Sequence, residues 1–305
     1  MHTKFRSLSP KPAVYNITKC YMWGALPDSA GAPHALSSPV VGVIIRLCMA
    51  STNPNQIAAT LRTLADRYPG PLAAAQRRDV PRIAFHLSLL LARVQEGARV
   101  ADIGGGVGLL SVGAQELGLK AVLVDDLRDE VNLEHGDDAL SLHRELGVEV
   151  VSRDVIADGV GFEPASLDAV TSFDSMEHWH HSPKHLFHQL MEALRPGGLF
   201  LLGVPNCVNM RKRITVPWGR GSWSAMTEWY EPEVFRGHVR EPDVRDLRYI
   251  ARDLKLADVR TFGRNWQGRL SGNGLVRALT AIFDLPLRLR AGWCSDLYLL
   301  GRKPR

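Results

Sequence analysis

The sequence predicts an α/β protein built on a doubly wound, mostly parallel sheet. Short apolar strands alternate with helical segments along most of the chain, and parallel strands need such helical crossovers. A glycine-rich turn follows the first of these strands, and charged residues follow the later ones. Ligands of such sheets bind beyond the carboxyl ends of the strands. We therefore expect a ligand site at that edge.

Composition limits the function classes. A chain of 305 residues can form one large α/β domain with appendages. Its net charge of +5 is too small and too dispersed to require a nucleic-acid partner. The 4 cysteines form no CxxC pair, which argues against a disulfide framework or a zinc ribbon. No signal peptide or membrane-spanning stretch is visible, so we expect a cytoplasmic protein.

The first 95 residues precede the predicted sheet. Residues 1–50 contain 5 prolines and no sustained period, which predicts a poorly ordered extension. Met49 is a candidate natural start. Apolar residues recur at helical spacing in 55–68 and again in 79–94, so 51–95 are predicted to form a helical cap. The sheet domain is expected to occupy 96–305.

The strand and helix signals within 96–305 alternate regularly. The predicted parallel strands are 98–103, 120–126, 148–154, 167–174 and 199–206. Helices are predicted over 108–118, through Leu140 and Leu146, and over 182–194. The last of these has Ser182 as N-cap and Pro183 at its first position, and it ends at an Arg-Pro-Gly-Gly sequence.

The first predicted strand runs into the sequence Ala-Asp-Ile-Gly-Gly-Gly-Val-Gly. Glycines at 104, 106 and 108 allow a tight turn and the close approach of a ligand to the backbone. A dinucleotide fingerprint starting at Gly104 would need its third glycine where Leu109 stands, so that class is disfavoured. The carboxylate of Asp102 suits a ligand that carries positive charge.

With these residues the chain resembles the class I S-adenosylmethionine-dependent methyltransferases, whose first motif is D/E-x-G-x-G-x-G. The resemblance is good over 78–206. It implies S-adenosylmethionine as cofactor, with Asp125, 23 residues after Asp102, on the ribose hydroxyls and Asp154 near the adenine amino group. It also implies seven strands, the last two (259–263 and 296–301) forming an antiparallel edge. The predicted cofactor contacts are Asp102, Gly104, Gly105, Gly106, Gly108, Asp125, Asp126, Asp154, Val155 and Asp174.

Residues 176–188 hold 5 of the 11 histidines. His181, His185 and His188 share one face of the predicted helix, which is a pattern that could bind a metal. The same helix needs its leucines for a buried face, however. We therefore expect the histidine stripe to be a solvated flank, and we expect no metal.

Glu177 and His178 come between the fourth strand and the next helix, where they can line the ligand cleft. An alcohol acceptor must lose a proton, and imidazole titrates in the right range to take it. Ubiquinone-pathway O-methyltransferases, the branch that this chain resembles most, have a Glu-His pair at this place. His178 is therefore the first candidate base and His238 the second. The alternative, that the pair only shapes the loop, remains open.

Motifs typical of nucleic-acid base methylation are absent. Residues 174–177 read Asp-Ser-Met-Glu in place of D/N-P-P-Y/F, and no proline precedes a cysteine. The insertion 207–240 is rich in aromatic and basic residues, which predicts a lid over a small-molecule or lipid-like acceptor. An ordinary packed loop is the alternative.

A second insertion, 268–293, contains an apolar segment flanked by arginines. It could close an apolar pocket, or make peripheral membrane contact through 274–290. Packing on the domain is the simpler interpretation and the one we expect. Together the observations predict methyl transfer from S-adenosylmethionine to a small or lipid-like acceptor, at oxygen. A non-catalytic cofactor-binding module that serves a partner protein, or an NAD-dependent oxidoreductase, are the alternatives.

Overall fold

A computed structural model of the protein describes residues 53–128, 138, 140–221 and 224–305. The predicted extension 1–50 lies outside these ranges. The strands are β1 (Arg99–Ile103), β2 (Lys120–Asp125), β3 (Glu149–Ser152), β4 (Leu167–Phe173), β5 (Leu194–Pro205), β6 (Ala257–Arg264) and β7 (Asp296–Arg302).

The described helices alternate with these strands. They are α1 (Pro54–Ala65), α2 (Gly70–Leu91), α3 (Leu109–Glu116), α4 (Ser141–Leu146), α5 (Lys184–Ala193), α6 (Met210–Thr215), α7 (Met226–Tyr230), α8 (Val244–Asp253), α9 (Trp266–Arg269) and α10 (Gly274–Arg288). Single turns of 3-10 helix occur at Met176–His178, Val216–Trp218 and Ala291–Trp293.

The strands form one 7-stranded sheet in the order β3-β2-β1-β4-β5-β7-β6. Strands β1 to β5 pair in parallel, and β7 runs antiparallel to both β5 and β6. The chain order reverses beside β1, so the crevice between the carboxyl ends of β1 and β4 is the expected ligand position. The predicted fold class, with its antiparallel edge, is confirmed.

Both faces of the sheet are covered, because successive residues of each strand point to opposite sides. In β1, Val100 joins an apolar cluster packed by α1, α2, α3 and α4. Its neighbours Ala101 and Ile103 join the opposite cluster, packed by α5 and α8. The two N-terminal helices therefore belong to the core of the sheet and help to hold the end of β1 in place.

Three boundaries differ from the sequence prediction. Helix α2 begins at Gly70, well before 79, because the alanine-rich stretch after Pro71 also takes helical geometry. The carbonyl of Pro183 accepts the first helical hydrogen bond of α5, from Phe187 N at 2.9 Å, so Pro183 rather than Ser182 is the N-cap. The Arg-Pro-Gly-Gly sequence lies inside β5 and does not precede it. At this point the pairing of β5 with β4 shifts register, between Leu167 and Ala169 of β4.

Helix α10 packs on the domain, against α9 and β6, but with a polar side and not with its apolar side. Leu285 is 72% exposed, and Leu289, directly after the helix, is 80% exposed. Most other large apolar side chains of α10 are also exposed, whereas Leu287 is half-buried. The inward side of α10 carries Asp284, which is buried and accepts a hydrogen bond from Asn265 Nδ2 at 2.9 Å. Arg288 pairs with the same carboxylate at 2.6 Å. Within the described ranges, no helix combines the length and apolar character that crossing a membrane requires.

Candidate active site

The glycine loop between β1 and α3 forms a cradle of bare backbone. Gly104 and Gly106 have φ angles of 69° and 54°, in the left-handed region that favours glycine. A Cβ added to Gly106 would meet no heavy atom within 4 Å, so the loop is open at that point. A Cβ on Gly104 would lie 1.9 Å from the Oγ of Ser175. The loop at the end of β1 is thus in direct contact with the segment that follows β4.

Two carboxylates support this loop. Asp125 Oδ2, at the end of β2, accepts a hydrogen bond from Gly106 N at 2.9 Å. Asp102 is only 4% exposed and accepts one from Thr171 Oγ1 at 3.0 Å. Burial raises the pKa of Asp102 to about 7, against the effect of the Thr171 hydrogen bond, and Asp125 adds to the rise. A positively charged ligand would offset the cost of this buried carboxylate.

The donors and acceptors at this edge fit S-adenosylmethionine. The open space at Gly106 accommodates a ligand pressed against the backbone. Carboxylates accept hydrogen bonds from ribose hydroxyls and attract a positively charged sulfur. The structure thus brings Asp102, Asp125 and the predicted loop glycines together.

The remaining predicted cofactor contacts lie on the β2 and β3 side of the edge. Asp126 Oδ1 accepts a hydrogen bond from Arg128 N at 3.0 Å. Asp154 Oδ1 accepts two, from the backbone N atoms of Ile156 and Ala157, both at 3.0 Å. Val155 is buried in the apolar core. None of these hydrogen bonds links the three predicted residues to the glycine loop, so their role in cofactor binding stays a prediction.

Asp174, directly after β4, is held by a residue that the sequence did not single out. Its φ of 49° is in the left-handed region, which aspartate tolerates better than most residues. Its carboxylate forms an ion pair with Arg82 of α2, and Arg82 also pairs with Asp79 at 2.5 Å. The end of β4 is therefore tied to the N-terminal helices.

Glu177 lies in the 3-10 turn that follows. Its side chain is 1% exposed, and Oε2 has no hydrogen-bond partner among the described residues. Burial raises the pKa of this carboxyl well above its ordinary value, and the charge of Asp174 raises it further. The backbone carbonyl of Glu177 accepts hydrogen bonds from Val239 N at 2.7 Å and Arg240 N at 3.2 Å. Segment 235–241 thus lies directly over the turn.

His178 and His238 meet beside Glu177, with ring centroids 4.8 Å apart and ring planes at 84°. His178 Nδ1 is 2.9 Å from the carbonyl oxygen of Arg236, and its Nε2 is 4.0 Å from Glu177 Oε1. Burial lowers the pKa of His178, and the neighbouring His238 lowers it further. The imidazole of His178 is therefore neutral at neutral pH, with a lone pair available.

Glu241 and Lys212, which the sequence did not single out, complete this group. Glu241 Oε1 lies 2.8 Å from His238 Nδ1, and its other carboxylate oxygen pairs with Lys212 Nζ. Although burial opposes it, the hydrogen bonds from His238 and Lys212 lower the pKa of Glu241. His238 and Glu241 are 3 residues apart, and this spacing is the sequence signal that could have indicated their contact.

The predicted flank of His181, His185 and His188 makes its described contacts outside this group, with Gln189 and Asp253. His181 and His185 are exposed, and His185 Nε2 lies 3.0 Å from Gln189. His188 Nε2 lies 2.9 Å from Asp253 Oδ2, on the outer side of α5. His180 Nε2 is 3.2 Å from the carbonyl oxygen of Phe235.

Comparison with known proteins gives one family. The sequence model of a protein family described as a methyltransferase domain matches residues 75–260 of this chain. The chain is 31% identical over 110 residues to the ubiquinone biosynthesis O-methyltransferase of Idiomarina loihiensis, covering 36% of this chain and 43% of that protein. It is 33% identical over 112 residues to the enzyme of the same name from Xanthomonas euvesicatoria, covering 36% and 44%. The chain thus spans less than half the length of these relatives.

Solved structures show more distant likenesses. A methyltransferase from Archaeoglobus fulgidus is 17% identical with a TM-score of 0.49, covering 74% of this chain and 94% of that one. Phosphoethanolamine N-methyltransferase 2 from Haemonchus contortus is 20% identical with a TM-score of 0.45, covering 72% and 52%.

Proposed function

The chain belongs to the methyltransferase domain family, and from that membership we propose that it transfers the methyl group of S-adenosylmethionine to an oxygen of a small or lipid-like acceptor. One observation carries the proposal. Gly104 of the cofactor loop is in contact with Ser175, two residues before Glu177. A cofactor cradle and a group of proton-accepting side chains are therefore neighbours across the β1–β4 crevice, as methyl transfer requires.

On the cofactor side, S-adenosylmethionine supplies a methyl group on a positively charged sulfur. The cradle at Gly106 receives the backbone-facing part of the nucleoside, and Asp125 accepts hydrogen bonds from its hydroxyls. Asp102 stabilises the positive charge from beneath the loop, where it is shielded from water. Gly105, Gly108, Asp126, Asp154, Val155 and Asp174 complete the proposed contacts.

On the acceptor side, His178 is the proposed base, with His238 as the second candidate and Glu177 beside both. The lowered pKa of His178 keeps its imidazole unprotonated near neutral pH, which is the form that accepts a proton. We also propose that 207–240 is a lid over the acceptor. Its end rests on this group through the hydrogen bonds of Val239 and Arg240 to the Glu177 carbonyl. The names of the two relatives, both O-methyltransferases, support oxygen as the methylated atom.

We propose the following domain plan: a helical cap at 51–95, and a methyltransferase domain at 96–305 with insertions at 207–240 and 268–293. We further propose that the second insertion contacts an anionic lipid surface through 274–290. The exposed apolar side chains of α10 favour this, because exposed apolar patches on a protein often mark a membrane or partner contact. Arg277 and Arg290 supply flanking positive charge.

Isothermal titration tests the proposed function against its two rivals. The purified chain should bind S-adenosylmethionine and its demethylated product, whereas NAD should give no heat. Transfer of a labelled methyl group to a panel of hydroxyl-bearing aromatic and lipid-like compounds should then identify an acceptor. Binding of NAD alone would support the oxidoreductase. Cofactor binding with no transfer to any compound would support the non-catalytic module.

A further inference from the structure

A basic cavity lies at the edge of the sheet opposite to the glycine loop. Strand β7 is antiparallel to β5, so its last residue, Arg302, lies at the edge where the parallel strands begin. The cavity has a volume of about 400 Å³. Its lining residues are Arg93, Asp258, Val259, Arg260, Leu300 and Arg302. We propose that this cavity binds the phosphate group of a small phosphate-bearing molecule. The inference is independent of the proposed function.

The register of the sheet directs two of the three arginines to one face. Arg260 of β6 pairs with Leu300 of β7, and paired residues project from the same face. Arg302 is two residues beyond Leu300 and therefore projects from that face as well. Leu300 packs in the apolar cluster of α1 to α4, and Arg93 follows the end of α2. The three guanidinium groups thus converge from two strands and one helix end.

A β-bulge in β6 brings Arg260 to this face. Ala257 pairs with the last residue of β7, so an uninterrupted ladder would place Val259 opposite Leu300. One additional residue in β6 shifts the register and puts Arg260 there instead. Asp258, within the bulge, has a φ of 50°, a left-handed conformation that is strained for residues other than glycine. The fold therefore maintains a strained residue that directs a third positive charge into the cavity.

The contacts of these arginines hold two of them in place without neutralising them. Arg93 Nη1 donates to the carbonyl oxygen of Leu89 at 2.9 Å. Arg302 donates to the carbonyl oxygens of Gly197 and Arg93, at 2.7 and 3.1 Å. A guanidinium has more N–H donors than these contacts use. Among the described residues, no carboxylate forms an ion pair with Arg93, Arg260 or Arg302.

The charges of the lining select the class of ligand. Burial lowers the pKa of Arg93, and the positive charges of Arg260 and Arg302 lower it further. An anion between like charges offsets their repulsion. The lining carries three positive charges and one negative charge, that of Asp258, which leaves a formal net charge of +2. A phosphate monoester carries about −1.5 to −2 at pH 7, whereas a carboxylate carries a single charge. Phosphate oxygens also match the fork of N–H groups on a guanidinium.

A second basic group lies beside this cavity. Val259 also lines a neighbouring cavity, together with Arg248, Arg252 and Lys255. These three side chains are exposed, and they raise the positive potential around the end of β6. They do not line the proposed site, so they can distinguish a specific contact from a general attraction of anions.

Titration calorimetry of the full chain tests the site. Glycerol 3-phosphate, a small phosphate monoester, should bind with about one equivalent, whereas glycerol should give no saturable heat. Arg260→Gln should weaken binding about 10- to 100-fold, because it removes charged hydrogen-bond donors. Asp258→Asn should strengthen binding about 3-fold or more, because it removes the negative charge of the lining. Asparagine tolerates the left-handed region as aspartate does, so the bulge is retained.

Arg248→Gln is the matched control, because it removes one exposed arginine of the neighbouring cavity. It should bind glycerol 3-phosphate about as tightly as the unaltered chain. Equal affinity of the Arg260→Gln and Arg248→Gln variants would mean that diffuse positive charge attracts the anion, and it overturns the inference. Absence of saturable binding overturns it as well. If Arg260→Gln does not fold, Asp258→Asn decides, since unchanged affinity in that variant contradicts the site.

Vesicles distinguish a lipid headgroup from a free phosphate compound. Vesicles that contain phosphatidic acid are mixed with the Leu285→Asp variant, in which the exposed apolar face of α10 is altered. Co-sedimentation that is lost when Arg260→Gln is added assigns the phosphate to a lipid. No co-sedimentation, with glycerol 3-phosphate still bound, assigns it to a free compound. Both results support the phosphate site.

Discussion

Arg82 of α2 forms an ion pair with Asp174 at the carboxyl end of β4, 92 residues further along the chain. The pair joins the N-terminal helices to the strand end from which Glu177 and His178 project. Both side chains are largely buried, with 19% and 31% of their surface exposed. The N-terminal helices therefore do more than cover one face of the sheet.

Asp174→Asn should lower the free energy of unfolding by about 1–3 kcal/mol, because it leaves a largely buried guanidinium with one carboxylate partner fewer. Denaturant titration measures this. Arg77→Gln is the control: it breaks the exposed pair with Asp66 and should cost about 0–1 kcal/mol. Equal effects of the two substitutions would contradict a special role for the Arg82–Asp174 pair.

Gly106→Ala should separate cofactor binding from stability. Gly106 and Gly97 both have positive φ angles, and at both an added Cβ would meet nothing within 4 Å. Each alanine should therefore cost about 1 kcal/mol of stability through backbone strain. Only Gly106→Ala should also weaken S-adenosylmethionine binding, by about 10-fold or more, because its methyl group enters the proposed cradle. Titration calorimetry and thermal melting distinguish the two effects; equal affinity in both variants would place the cofactor elsewhere.

Asp102 should make cofactor affinity depend on pH. Its raised pKa of about 7 means that it is largely protonated at pH 6 and ionised at pH 8. Only the ionised form attracts the positive sulfur, so affinity should rise about 3- to 10-fold across that interval. Asp102→Asn should abolish the rise. The demethylated product lacks the charge on sulfur and should show a much smaller rise; a matching rise for both compounds would exclude Asp102 as its cause.

Asp102 also links pH to stability. Because its pKa is raised by folding, its favourable contribution is present at low pH and is lost as pH rises through about 7. Asp102→Asn should therefore raise the free energy of unfolding more at pH 8 than at pH 5. Denaturant titration at the two pH values checks the sign, and a larger gain at pH 5 would show that the carboxylate is not the cause.

His178 should set the acid limb of the activity profile. Burial and the neighbouring His238 lower the pKa of His178 from its ordinary value, so kcat/KM should fall only when pH drops below this lowered pKa and the ring becomes protonated. A protonated ring cannot accept a proton from the acceptor. His178→Gln should remove this inflection and lower kcat/KM by about 100-fold or more. An unchanged profile in that variant would leave the residue with a purely structural role.

The exposed face of α10 should bind vesicles that contain anionic lipid. Ile282→Asp and Leu285→Asp each replace a side chain that is mostly exposed, so folding should be unaffected. Each should reduce co-sedimentation with the vesicles about 10-fold or more. Tyr249→Asp, which alters an exposed aromatic residue on α8, is the control. Equal co-sedimentation of all variants would show that α10 does not contact lipid.

Much of the sheet edge that carries the glycine loop could be predicted from local sequence. The spacing of Asp102 and the loop glycines predicted the turn after β1, and the resemblance to the methyltransferases singled out Asp125 at the end of the next strand. Parallel strands end at one edge, so residues far apart in the chain meet there. The contact of Asp125 with Gly106 N agrees with this rule, although only the structure shows it.

What the sequence alone determined, then, was the order of strands and helices, the fold class and the acidic glycine turn. These features depend on hydrophobic periodicity and backbone conformation, which residues close together in the chain determine. The tertiary structure decided which distant side chains meet: Arg82 with Asp174, and His238 with His178. It also turned the apolar face of α10 outward, because Asp284, Asn265 and Arg288 satisfy one another on the inner side. Such contacts depend on packing between elements, and no local pattern of residues records them.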